Sequence, residues 1–293
     1  MSADARSRIA RATSDVLALL AARAGLVATV VATAGAPGLL QAQGPLVAEE
    51  SALRLGNESW SVAITPYAWL AGQSSDVDGQ ALRQSFSDLA SITNLGFQGR
   101  IAARVGKVIF GGDYTYADQT STTAIGRTSI DMGVVQHIVD LKVGYPVYDS
   151  RARDTDGGGL ALWLAAGARY WDNDTEFTIT RQPILPGGET EIVEEQAAQT
   201  WWDPVLGALA HWPVTDRVGF TARGTVGGFG IGDASSYLWD GEGAATFRLG
   251  RRFLLSAGYR AFRYDRTDGE GDDEVHQNVT VMGLILGLSV GVF

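Results

Sequence analysis

The chain has 293 residues, with 23 Lys and Arg against 33 Asp and Glu, and it contains no Cys. The net charge of −10 excludes nucleic acid as a partner, because phosphate binding needs a basic face. The missing thiols exclude disulfides, thiolate metal sites and Cys nucleophiles. The body of the chain also lacks the apolar runs of roughly 20 residues that membrane helices need.

Residues 1–42 differ in kind from the rest. Arg6, Arg8 and Arg11 precede an Ala/Leu/Val-rich stretch from Val16 to Leu40, and small residues follow at Ala34, Ala36 and Ala42. That is the order of a secretory signal peptide, with cleavage expected near Ala42. Residues 43–59 read as a short N-terminal periplasmic segment, and 60–293 as one further unit.

From residue 60 onward the apolar residues recur at every second position, which is the period of a strand and not of a helix. The pattern predicts strands over 60–72, 95–105, 107–119, 129–145, 159–171, 200–212, 217–229, 236–249, 252–265 and 277–292. In the last, Met282, Leu284, Leu286, Leu288, Val290 and Val292 share one face, while Gly283, Gly287, Ser289 and Gly291 share the other. The connections alternate. Gly106, Thr215-Asp216 and Gly250-Arg251 are short, whereas 73–94, 120–128, 172–199, 230–235 and 266–276 are long and polar. Short turns on one side and long loops on the other are the habit of outer-membrane barrels. The fold expected is therefore all-β: an antiparallel up-and-down transmembrane β-barrel of about ten strands.

Two features favour a membrane barrel over a soluble sandwich. Aromatics gather at strand ends: Trp60, Tyr67, Trp69, Tyr114, Tyr116, Tyr145, Tyr170, Trp171, Trp201, Trp202, Trp212, Tyr237, Trp239 and Tyr264 read as interfacial girdles. The second face carries ions at mid-strand: Arg100, Arg104, Asp113, Asp140, Lys142, Arg169, Asp203, Arg223, Asp240, Glu242 and Arg260. An Arg at mid-bilayer costs about 2–4 kcal/mol on the lipid face, so these residues are expected inside, paired across a narrow lumen. Residues 84–93 break the alternation. Ser85 or Ser87 is placed to cap a short helix with Phe86, Leu89 and Ile92 on one face, either on the surface or in the barrel mouth.

These stretches resemble a known group. Thr65-Pro66-Tyr67-Ala68-Trp69, Phe86-Ser87-Asp88-Leu89, Tyr170-Trp171, Trp202-Asp203-Pro204-Val205 with Gly207, Gly227-Gly228-Phe229-Gly230 and Gly258-Tyr259-Arg260 with Asp265 occur in that order. In them the chain resembles a family of small, porin-like outer-membrane β-barrel proteins of proteobacterial type. The resemblance implies a Gram-negative outer-membrane location and names no substrate or reaction. It also implies outer-membrane lipid as a partner, and recognition by the barrel-assembly machinery through a last strand ending in Phe293. One departure stands out: the phase of Phe293 carries Gly291, Ser289 and Gly287, one residue out of step with the apolar face.

No catalytic, cofactor or metal motif emerges. His276, beside Asp272, Asp273 and Glu274, is the one candidate for a surface-acting barrel enzyme at the extracellular rim, protease-like or lipid-modifying, and an acidic solvated loop explains it equally. Ser129 and His137 stand eight residues apart on one strand, too far to share a proton. Gly227 to Gly232 reads as a strand end and turn, since no phosphate-binding strand–loop–helix context follows. The reading is a barrel with a structural or narrow solute-channel role, no enzyme and no cofactor.

Overall fold

The computed structural model describes residues 60–77, 80–150, 159–183, 190–269 and 275–292. The signal peptide, the 43–59 segment, Asp272 to Glu274 and Phe293 lie outside the described residues.

The strands are β1 (Trp60–Val77), β2 (Gln80–Gln84), β3 (Thr93–Val105), β4 (Val108–Ile125), β5 (Thr128–Asp149), β6 (Ala161–Arg181), β7 (Glu191–Pro213), β8 (Val218–Gly227), β9 (Tyr237–Arg248), β10 (Phe253–Asp268) and β11 (Val275–Val292). Helix α1 (Phe86–Ile92) separates β2 from β3. The strands pair antiparallel in chain order, and β11 returns to β1 from Val62↔Val292 to Val77↔Gln277, closing the sheet. One wall position is shared. The lower part of β1 pairs with β3 from Trp60↔Val105 to Pro66↔Gly99, and its upper part pairs with β2 from Gln73↔Gln84 to Val77↔Gln80. The result is a closed ten-position barrel. Closure pairs the first and last strands, whose free edges would carry costly unpaired backbone groups in the hydrocarbon.

Burial follows the alternation. On β6 the buried residues run Ala161, Trp163, Arg169, Trp171, Asn173, Thr175, Phe177 and Ile179, and the lipid-facing set between them includes Leu164, Ala166, Ala168 and Tyr170. On β11 Met282 and Leu284 face outward while Gly283, Ile285, Gly287, Ser289 and Gly291 are buried, so the register departure noted at the C-terminus is built into the wall. On β7 the outward Trp202 and Trp212 bracket Leu206, Ala208 and Ala210. The stretch between the two indoles measures about 33 Å at the usual strand rise, hence about 25 Å once tilted, the height of an apolar band. The geometry is that of an outer-membrane β-barrel. Among the described residues no helix is long and apolar enough to cross a membrane.

Two long connections expected from the sequence are largely strand. The segment expected as a loop at 120–128 is a continuous hairpin turning at Gly126 (φ 63°), and β6 and β7 continue through most of 172–199, paired from Asp172↔Thr200 to Arg181↔Glu191. Asp172-Asn173-Asp174-Thr175-Glu176 carries polar residues on both faces, the buried one included, so it shows no apolar alternation. The β4–β7 wall thus projects beyond the membrane.

Closure depends on a tight contact. A Cβ on Gly283 of β11 would stand 2.1 Å from the Leu70 carbonyl oxygen and 2.5 Å from the Ala71 Cα on β1. Gly283→Val therefore forces the closing strands apart, an overpacking cost of about 1–3 kcal/mol or more. The expected outcome is loss of the heat-modifiable band on SDS gels, with Gly243→Val, where an added Cβ meets nothing within 4 Å, as the tolerated control.

Candidate functional site

The register of the strands assembles the lumen chemistry. Arg100 on β3 stands opposite Asp113 on β4, Asp113 opposite Asp140 on β5, and Asp140 opposite Arg169 on β6. On the far wall Arg223 of β8 faces Glu242 of β9, which faces Arg260 of β10. Two carboxylates directly opposite repel each other, and each is turned to its own guanidinium. Arg100 donates from Nε to Asp113 Oδ2 at 2.9 Å, and Arg169 donates to Asp140 Oδ2 at 2.6 Å.

The two walls meet across the bore. Arg169 also donates to Asp240 Oδ2 at 3.0 Å, and Arg260 grips the same carboxylate from Nε at 2.9 Å. Arg223 bridges to Glu242 at 2.7 Å, and Arg100 reaches Glu242 at 3.8 Å. Lys142, on the same face of β5 as Asp140, lies 3.4 Å from its carboxylate. Tyr67 donates its hydroxyl to Asp113 Oδ1 at 2.8 Å and accepts from Arg260 Nη1 at 3.3 Å. The resulting belt ties β1, β3, β4, β5, β6, β8, β9 and β10 together through side chains that are almost fully buried. A cavity of about 20 Å³ remains beside Asp113, Asp140, Arg169 and Arg260, room for about one water.

Two residues expected in this network serve elsewhere. Arg104 lies further toward the periplasmic end and donates from Nε to Ser61 Oγ at 3.4 Å. Asp203, although opposite Arg169 in register, holds the β8–β9 loop: it accepts from Ser235 N at 2.7 Å, Ser235 Oγ at 3.0 Å and Trp171 Nε1 at 2.8 Å. The glycine run makes that inward fold possible. Gly228 has φ 83°, and a Cβ there would meet the Ser235 carbonyl oxygen at 2.2 Å.

The aromatic girdle is also divided. Tyr114, Tyr145, Tyr170, Trp202, Trp212 and Tyr237 lie on the outward face, but Tyr67, Trp69, Trp171, Trp201 and Tyr264 are buried in the lumen. Strand parity decides the sorting: adjacent aromatics such as Trp201 and Trp202 must take opposite faces. The inward set, with Phe262, Val279, Val281 and Ile285, forms an apolar layer on the extracellular side of the belt. Trp171 and Trp201 stack at 5.1 Å and 10°. Arg169 lies 5.0 Å from the Phe262 ring and Arg260 4.7 Å from the Trp69 ring, so cation–π contacts join the two layers. Tyr67 and Trp69, expected in the girdle, share the buried phase of Thr65 and Gln73 on β1, and Phe262, which carried no expectation, shares the phase of Arg260 on β10.

At the rim, His276 Nε2 lies 3.4 Å from Asp265 Oδ2, and His276 Nδ1 lies 3.3 Å from Thr267 Oγ1. All three stand on outward-facing positions, not across the mouth. Tyr114 and His137 share a hydrogen bond at 2.8 Å, which places the imidazole among aromatics, while Ser129 bonds Asp131. A groove of about 580 Å³ lies on the projecting wall, lined by outward residues including Asp118, Asp174, Glu176 and Gln196. Among the described residues no cluster suited to a metal ion occurs. In the first long connection Ser85 caps α1. Its hydroxyl and backbone amide both donate to Asp88, and these bonds hold that carboxyl below the usual carboxylate range.

No family model and no curated protein matches the chain. Among solved structures it is similar to the outer membrane protease OmpT of Escherichia coli, at 7% identity and TM-score 0.49, covering 80% of this chain and 98% of that one. It is also similar to Ail, the attachment invasion locus protein of Yersinia pestis (12% identity, 78% and 99% covered, TM-score 0.29), and to Neisserial surface protein A (15%, 79% and 99%, 0.24). At these identities the likeness concerns the barrel fold alone.

Breaking a buried charge pair leaves its partner uncompensated, at about 3–5 kcal/mol, whereas an exposed pair contributes about 0–1 kcal/mol. Asp240→Ala, which takes this carboxylate from Arg260 and leaves Arg169 with Asp140 alone, is expected to lower urea-unfolding stability by that larger amount. Arg181→Ala, at the exposed 3.4 Å pair with Glu191, is expected to change it by less than about 1 kcal/mol.

Proposed function

We propose that this chain is a closed, non-enzymatic outer-membrane barrel whose role is structural, rather than a narrow solute channel. The observation that carries the reading is the belt itself. Guanidinium and carboxylate groups from opposite walls meet in the bore, and the space left beside them holds about one water. An ion or solute moving through would have to separate buried pairs, and the stacked aromatic layer stands directly above them. In planar bilayers the folded protein is expected to give no steady single-channel current. Sustained, ion-selective steps from the pure protein would overturn the reading in favour of a channel.

A second reading, an enzyme acting at the outer rim, rests on the Asp265–His276–Thr267 arrangement, in which an imidazole sits between a carboxylate and a hydroxyl. Against it stands the exposure of the His276 side chain, at 52%. If the folded barrel hydrolyses esters or peptides, His276→Ala should abolish the activity. Turnover that survives His276→Ala removes this arrangement as its source.

A further inference from the structure

The barrel wall is interrupted between β1 and β3. Between Pro66↔Gly99, where β1 leaves β3, and Gln73↔Gln84, where it meets β2, residues 67–72 have no strand partner on the side away from β11. Beyond Gly99, β3 runs on against β4 alone, from Gln98↔Thr115 to Thr93↔Gln119. The two strands therefore diverge into a wedge. Pro66 marks its lower corner, since it has no N–H to carry the ladder on. Helix α1 closes the top: it packs against β1, β2 and β4, and its Leu89 is fully buried.

The wedge opens at lipid depth. Its outward flanks are Ala68 and Leu70 on β1 and Leu95 and Phe97 on β3, the last two 59% and 53% exposed, and polar residues resume only at Ser74 and Asn94. Behind it lies the aromatic layer, and the ion belt blocks the bore below. Buried polar groups wait there without partners: both amide atoms of Gln98, 5% exposed, and Nε1 of Trp69, also 5% exposed. Gln98 is the cross-strand neighbour of Thr115, which lines the same small cavity as Trp69. A hydrocarbon alone fits the flanks and leaves these donors empty. An amphiphile fits both.

We propose that the wedge between β1 and β3 is a binding site for a single-chain amphiphile of the outer leaflet, its hydrogen-bonding head held by Gln98 and Trp69 and its alkyl chain passing out between Leu70 and Phe97. The site is independent of the closed-bore reading, because conductance tests the belt and labelling tests the wedge. The full barrel in liposomes is irradiated with a fatty acid carrying a mid-chain diazirine, and adducts are mapped by mass spectrometry. A diazirine alkane without a head serves as the second probe. Saturable adducts are expected on Leu70, Phe97 and the inward Trp69, displaced by unlabelled fatty acid. Gln98→Leu should reduce fatty-acid labelling about five-fold, the worth of one net hydrogen bond, and leave alkane labelling unchanged. If Gln98→Leu loses its heat-modifiable band, Trp69→Phe, which removes the indole N–H and keeps an aromatic ring, takes its place. Non-saturable labelling spread evenly to Leu206 and Leu284, or full labelling in the folded head-site variant, would overturn the proposal.

Discussion

A charged group cannot face hydrocarbon cheaply, and that penalty organises this molecule. Each strand carries a guanidinium, carboxylate or amide on one face, and the two-residue period sends its neighbours to the lipid. Once Arg100, Asp113, Asp140 and Arg169 are turned inward, antiparallel register brings them side by side. A slip of one residue would expose the whole row to lipid, so the charges fix the register as firmly as any apolar contact does. Their net worth to stability is small, because desolvation consumes most of the Coulomb attraction. Their effect is to permit one arrangement of the wall and to fill the bore of that arrangement.

The lumen is layered. The ionic belt lies at mid-height and the aromatic layer sits above it, the two in contact through Arg169 on Phe262 and Arg260 on Trp69. Above these, the β8–β9 loop is drawn inward by Asp203, which spends its carboxylate on Ser235 and Trp171 and leaves Arg169 to the aspartates of β5 and β9. Strand register alone would have assigned Asp203 to the ionic belt. The loop wins because its two Ser235 donors, together with Trp171 of β6, offer the carboxylate three neutral donors.

The parts of this design that lipid enforces were legible in the residues. Alternation over 277–292 located β11 and its face, and mid-strand ions located most of the belt. Where water replaces lipid the signal vanished: β6 and β7 run through Asp172 to Glu176 and Glu191 to Gln199, where polar residues occupy both faces. The helix over Phe86–Ile92 was visible through its cap at Ser85, but its place in the gap between β1 and β3 was not. Nothing local to Thr65-Pro66-Tyr67 states that sixteen residues of the chain, 84 to 99, will stand opposite the eight from 66 to 73. The aromatics were visible as a group, and their division between lipid and lumen required the phase of each strand to be followed residue by residue.

The tall β4–β7 wall has an exposed flank. Above Val205↔Gly227 the chain from Glu191 to Pro204 has β6 on one side and no strand on the other. A flank of that length invites another copy to zip onto it. Glu191, Glu194 and Glu195 stand at its far end, so two such flanks meeting head to head confront carboxylates with carboxylates. Like charges set against one another in this way oppose that edge-to-edge pairing, so the same polar residues that hide the strand from an alternation pattern also guard its free edge.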